Sequence, residues 1–439
     1  MADDRPVVTH SRATASDIRV EPDWEQGYSL TVGNDPARAD IAGVDEKAIQ
    51  AAVDMAAARG GGTVHIEPGT YRLRNAVHLR SNVAIVGSGS QTLLIKEPSV
   101  STRLTADFDW YEQEITVADA TGLRVGDGVV LQARSRLSGQ TNVSRHTLVG
   151  RLGNRFKLDR PPKKDFWLSG DPTVSSLFSL LDGDQVGQIR IENLVLDGNR
   201  DATDHLDGNY AGCIFLQDCR DLLIRGVEAR NNNGDGISWQ IAHDVVVEDC
   251  HVHHNRDLGL HPGSGSQRPL VRNNRVEHND VGIFLCWGVR YALVEGNSCQ
   301  ASGSVGISIG HRDTDNVIRD NDIANSGQRG VLFRRERGRD YAPHRNVLEA
   351  NRIVDSGAED GIGVEVEGET EEVVIRGNRI AERRDPGRRI GVCLGPETRG
   401  IVVADNSIDG FAVAIDDQRV PAVENSHSSG PGSGAGPPE

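Results

Sequence analysis

The chain has no long apolar run: nothing approaches the roughly 18 residues that a membrane-spanning helix needs. The opening MADDRPVVTH has neither the basic start nor the apolar core of a secretory leader. A cytoplasmic location is therefore expected, or a secreted one if a leader lay upstream. Positive charge is also short, with 48 Lys and Arg against 64 Asp and Glu and a net charge of -16. That balance argues against nucleic-acid or membrane partners. Only 5 of the basic residues are Lys, which reads as genomic base composition rather than function. The six cysteines (Cys213, Cys219, Cys250, Cys286, Cys299, Cys393) form no CxxC pair and no zinc-ligand spacing. They are expected to be buried free thiols. No phosphate loop, dinucleotide fingerprint or Ser nucleophile elbow is present, so no cofactor is expected.

What the chain has in excess is glycine, 50 in 439 residues, more than a helical domain tolerates. The glycines are periodic. One phrase begins at Gly212, Gly236, Gly259, Gly282, Gly306, Gly330, Gly361 and Gly391, with spacings of 24, 23, 23, 24, 24, 31 and 30. A second phrase, apolar-x-x-Asn-x-apolar, falls half a period later, as in VRNNRV at 271, IRDNDI at 318 and IRGNRI at 375. Apolar residues recur at i, i+2, the strand period. Such short strands cannot bury an apolar face alone, but stacked coils can. The fold class is all-β, a parallel β-helix (solenoid), with the Asn column stacked inside a turn.

Asp45-Glu-Lys-Ala-Ile-Gln-Ala-Ala-Val-Asp-Met-Ala-Ala reads as an amphipathic capping helix that covers the open first coil. Residues 103–175 break the period, and two hairpin-rich groups there predict a small β insertion. The expected division is an N-terminal extension at 1–40, a β-helix domain at 41–424 and a disordered tail at 425–439.

Strand alternation turns the residues two and four past each Gly outward. Reading them coil by coil gathers Ser238, Gln240, His261, Phe284, Ser308, Arg334 and Glu365 on one strip, with Trp287, His311, Arg312 and Glu336 just beyond. Asp235, Asp257 and Asp280 lie just before these strands. A strip about six coils long with aromatic, carboxylate, His and Arg groups suits a sugar chain. Asp235 and Asp257 have α-carbons an expected ~6 Å apart. That lets the carboxyls reach the ~6.5–9.5 Å of an inverting glycosidase. His261 suits general acid–base work. Gln240, Asp280, Trp287, His311, Arg312, Arg334 and Glu336 are candidate substrate-binding residues, Trp287 as a platform for a sugar ring. Arg334 is read equally well as a uronate-carboxylate partner and as an ion pair with Glu365 in the next coil. His311-Arg-Asp-Thr-Asp315 reads as a turn rather than a metal site. His251-Val-His253-His254 lies elsewhere around the coil and reads as structural.

The block AIQAAVDMAAARGGGTVHIEPGTYRLRNAVHLRSNVAIVGSGSQTLL resembles the opening of the pectate-lyase-like superfamily of right-handed β-helix proteins. With the later coils the likeness covers about residues 40–420. NNNGDGIS at 231–238 is similar to the Asn-Thr-Asp-Gly phrase of polygalacturonases. Asp235 falls on its acid and Asp257 on the first of that family's paired aspartates. Leu258 replaces the second, and Val305 stands at the His position. The resemblance implies a carbohydrate partner and an enzyme cleaving glycosidic bonds, by hydrolysis with Asp235 and Asp257 or by β-elimination on a uronate with His261 or Arg334 as base. An isomerase, epimerase or transferase in the same groove, and a non-catalytic glycan-binding β-helix, are the alternatives. The superfamily often forms trimers, so a homo-oligomer is compatible with it.

Overall fold

Each Gly phrase and each Asn phrase supplies one strand to a coil, and the coils stack in parallel. In a computed structural model, which describes residues 21–419 except 25, 26 and 137, they build three long sheets of 13, 11 and 11 strands. The tail at 425–439 lies outside the described residues. The Gly phrases form one sheet. Its inward column runs in register through Ile237, Leu260, Ile283, Ile307, Val331, Val364 and Val392, all at 0% exposure. Each such side chain contributes about 1.5–3 kcal/mol by leaving water.

The glycines themselves are set by close approach. A Cβ on Gly306 would stand 2.4 Å from the Ile323 side chain and 2.6 Å from the Gly330 carbonyl. The Asn column forms the expected ladder. The amide nitrogens of Asn274, Asn297 and Asn321 donate to the side-chain oxygens of Asn297, Asn321 and Asn351 at 2.9 Å each. The buried amides thus satisfy one another from coil to coil.

The capping helix spans Glu46–Ala58. Asp45 opens it by accepting from the backbone of Lys47 and Ala48. Ile49, Ala52, Val53 and Ala56 face the first coil and are fully buried. The solenoid begins earlier than residue 41, because Ser29–Gly33 precedes the helix and pairs in parallel with Gly62–Ile66.

The insertion is a six-stranded sheet whose interior pairings are antiparallel, formed between residues 101 and 175. It has a core of its own around Phe108, Leu131, Phe156 and Phe166. A separate apolar cluster joins it to the solenoid: Val130 and Val143 of the insertion pack with Leu177, Leu206 and Ala211. That contact holds segment 204–211 over the outer face of the Gly-phrase sheet.

Candidate functional site

The outward column of the Gly-phrase sheet pairs Phe215 with Ser238, Ser238 with His261, and Phe284 with Ser308. Segment 204–211 overhangs the first of these coils. Between them lies a pocket of about 720 Å³ lined by His205, Tyr210, Asp235, Asp257, His261, Asp280, Phe284, Cys286 and Trp287, among others. It spans about three coils of the sheet rather than the expected six, ending at Trp287, and Gly208 sits directly on its floor at the near end. A Cβ there would be 1.7 Å from the Asp235 carboxylate, and the Ser238 hydroxyl donates to the Gly208 carbonyl at 2.7 Å.

Asp235 is at 0% exposure, and its Oδ2 lies 2.7 Å from His261 Nδ1. The Leu258 N–H donates to its other oxygen at 3.1 Å. Burial pushes the Asp235 carboxyl above its ordinary range, while the His261 bond pulls it down. Asp235 thus lines the pocket from beneath, with both carboxylate oxygens hydrogen-bonded within the protein. It holds His261 by Nδ1, which leaves Nε2 without a protein partner among the described residues in a ring that lines the pocket. The His261 ring stands edge-on to Phe284 at 5.4 Å. Asp257 is half-buried, and its Oδ2 meets His205 Nε2 at 2.6 Å. Asp280 is exposed at the rim.

Next along the strip, Trp287 is 55% exposed and stacks on His311 at 4.4 Å and 21°. Tyr341 tilts against the other side of this group, 5.0 Å from His311, and Glu336 fixes His311 Nδ1 at 3.2 Å. The turns that carry Trp287 and His311 share one buried carboxylate. Asp313 accepts the N–H groups of Gly288, Val289 and Gly310, and burial pushes its carboxyl up to about 6.

Arg334 lies 4.2 Å over the Phe284 ring. It donates to Ser308 Oγ at 2.7 Å and to the Leu285 carbonyl at 2.8 Å. Its ion-pair partners are Asp313 and Glu336, at 3.6 and 3.8 Å. Glu365 pairs instead with Arg329, whose side chain rises from the start of its own strand and reaches Glu365 on the neighbouring one. Gln240 is buried against Gly263, where a Cβ would meet its amide at 2.4 Å. It does not line the pocket. Arg312 is exposed, and among the described residues its one hydrogen bond is from its backbone N–H to the Tyr341 carbonyl.

All six cysteines are free, and burial pushes the Cys286 thiol up to about 12. The His251 and His253 rings stack together on the Asn-phrase sheet, away from the pocket. Among the described residues no group of three or more His, Cys, Asp or Glu side chains is arranged to hold a metal ion. No helix among them is long and apolar enough to cross a membrane.

His205 and Tyr210 were not among the residues gathered from the repeat. Their signal was a length anomaly. Fourteen residues separate Asp197, the end of one strand, from Gly212, the start of the next, whereas the following coil needs four between Arg230 and Asp235. Such per-repeat insertions map to one face of a solenoid, often the binding face.

The sequence profile of the right-handed β-helix region matches residues 184–339 and 281–435, together more than half of the chain. That of rhamnogalacturonase A/epimerase, pectate-lyase-like proteins matches residues 32–124. Mannuronan C5-epimerase AlgE2 of Azotobacter vinelandii is 24% identical over 296 residues, which are 64% of this chain and 22% of that protein. Mannuronan C5-epimerase AlgE6 of the same organism is 46% identical over 59 residues, 12% of this chain and 7% of that one. The chain thus spans about a fifth of the full length of AlgE2, and less of AlgE6. Among solved structures, the AlgE6 A-module is 19% identical with a TM-score of 0.55, covering 84% of this chain and 91% of that one. An exopolygalacturonase from Thermotoga maritima is 12% identical with a TM-score of 0.51, covering 88% and 93%. At such identities the structures speak for the fold alone. With coils, capping helix and profile in agreement, the chain belongs to the right-handed parallel β-helix proteins of the pectate-lyase-like superfamily.

Proposed function

We propose that the chain is a carbohydrate-active enzyme that moves the C5 proton of a uronate residue in a glycan, with His261 as the base. The observation that carries this reading is the buried Asp235–His261 pair, 2.7 Å apart at Nδ1. A carboxylate accepting from Nδ1–H fixes the tautomer and leaves the lone pair on Nε2, toward the pocket. Removing a proton α to a carboxyl group needs such a base, whereas hydrolysis by two carboxylates needs both on the pocket surface. Asp235 is at 0% exposure and already bonded, so it serves as the positioning residue for His261. Trp287, backed by His311, offers a face for a sugar ring, and Arg334 is the nearest fixed cation to the Phe284 side of the site. The relatives named mannuronan C5-epimerase favour a uronate over a neutral sugar. Proton removal at C5 leads either to inversion or to β-elimination, and this reading covers both.

The test is incubation with mannuronan, polygalacturonate and neutral glycans in deuterated water. Three signals are followed: deuterium at C5, ultraviolet absorbance of unsaturated uronates, and new reducing ends. Deuterium at C5 of an intact uronate, or absorbance of an unsaturated uronate whose C5 hydrogen has been lost, is the expected result. New reducing ends with neither uptake nor absorbance would mean hydrolysis and would overturn the reading.

A further inference from the structure

The pocket holds two imidazole–carboxylate pairs, and removing a proton requires only one. His261 and Asp235 form the pair on the floor. The second stands on segment 204–211: His205 meets Asp257 through Nε2 at 2.6 Å, and its Nδ1 has no protein partner among the described residues. The segment is fixed, not a loose flap. Gly208 is seated on Asp235 and bonded by Ser238, and Leu206 and Ala211 are clamped from behind by Val130 and Val143 of the insertion. The two imidazoles therefore reach one 720 Å³ pocket from different elements, one from the sheet and one from the overhang.

We infer, resting on the reading above, that His205 is a second catalytic residue and that the reaction is inversion at C5. His261 Nε2 takes the proton from one face, and the electron pair of the broken C–H bond passes into the carboxyl group. His205, protonated at Nδ1, then gives a proton to the opposite face as that pair returns to form the new C–H bond. One proton leaves and one arrives, the bond to the neighbouring sugar stays intact, and no oxidant or co-reactant is consumed. The cycle ends with His261 protonated and His205 neutral, and exchange with water resets both. Asp235 and Asp257 are positioning residues, each also the counter-ion of its own imidazolium. Elimination would use a far-face donor at the departing glycosidic oxygen on C4 instead of at C5, so an intact C4–O bond in the product is what marks inversion.

The experiment compares wild type, His205→Gln and His261→Gln in deuterated water on oligomannuronate and oligoguluronate, the two C5 epimers, with melting temperatures as a check on folding. Wild type is expected to place deuterium at C5 of the inverted product. Each variant is expected to lose inversion by about 100-fold or more. His205→Gln should still exchange the C5 hydrogen of the epimer that His261 serves, and His261→Gln only that of the other. A folded His205→Gln enzyme that inverts at the wild-type rate, or that loses exchange with both epimers, overturns the assignment. Unsaturated products without inversion also overturn it, while leaving proton transfer by His261 standing. Reducing ends with neither C5 exchange nor unsaturated products in the wild type would sink both.

Discussion

One nitrogen of His261 is bonded to a carboxylate and the other faces the pocket, so the chemistry turns on which tautomer the ring adopts. Asp235→Asn keeps the size of the partner but can present an N–H to Nδ1 and so reverse the ring. Turnover is expected to fall by about 100-fold or more, with little change in KM and a melting temperature near that of wild type. A loss confined to KM would assign Asp235 to substrate binding instead. Asp313 gives a second residue-scale test, by pH. Its folded-state carboxyl lies at about 6, above the ordinary 3.8. The stability it contributes is therefore fully present below about 3.8 and is lost as pH rises through 6, at most on the order of 3 kcal/mol. Chemical denaturation at pH 4 and pH 7 should show that decrement in wild type relative to Asp313→Asn, in which no charge is buried. Strand alternation made the positions of Asp235, Asp257 and His261 legible in the sequence. The role of Asp235 was not legible, because its burial is imposed by Gly208, a residue outside the repeat.

At the scale of the elements, the two polar columns inside the solenoid behave oppositely. Asn321 is bonded to Asn297 below and Asn351 above, and its Nδ2 also reaches the Val294 carbonyl. Asn321→Ala leaves buried donors and acceptors unpaired and is expected to cost about 2–4 kcal/mol. In the other column Asn232, Asn255 and Asn279 give way to Ser302, Ser326 and Ser356, whose buried hydroxyls have no partner. Ser326→Ala removes an unsatisfied group and should leave stability unchanged or raise it by up to about 1 kcal/mol. Thermal melts of the two variants check both signs, and a Ser326→Ala loss as large as that of Asn321→Ala would mean that an ordered water completes the column. The Asn phrase was legible because a stacked ladder repeats its residue once per coil. The strand Ser29–Gly33 was not, since a single strand ahead of the capping helix carries no period. The overhang 204–211 is similarly aperiodic. Its place over the pocket depends on contact with an insertion more than 60 residues earlier, which no local pattern encodes.

For the whole molecule the decisive quantity is charge. The chain carries a net -16, and Asp207, Asp257 and Asp280 line the pocket itself. A uronate chain approaching it meets the exposed Asp207 and Asp280 carboxylates before it meets Arg334 or the buried His261. Repulsion of this kind reaches about 30 Å at 0.01 M salt and only about 8 Å at 0.15 M. For an oligouronate, KM is therefore expected to fall several-fold as ionic strength rises over that range, with kcat nearly constant because the acid–base groups lie in direct contact with the substrate. The dissociation constant of a neutral oligosaccharide of the same length, measured by calorimetry, should show no such trend. The sign discriminates between two electrostatic pictures. Weaker binding at higher salt would mean that Arg334 and the imidazoles outweigh the rim and draw the polymer in. Stronger binding would mean that affinity comes from stacking on Trp287 and from short-range bonds made against the long-range field, so that the net charge limits the rate of encounter while the pocket decides what is held.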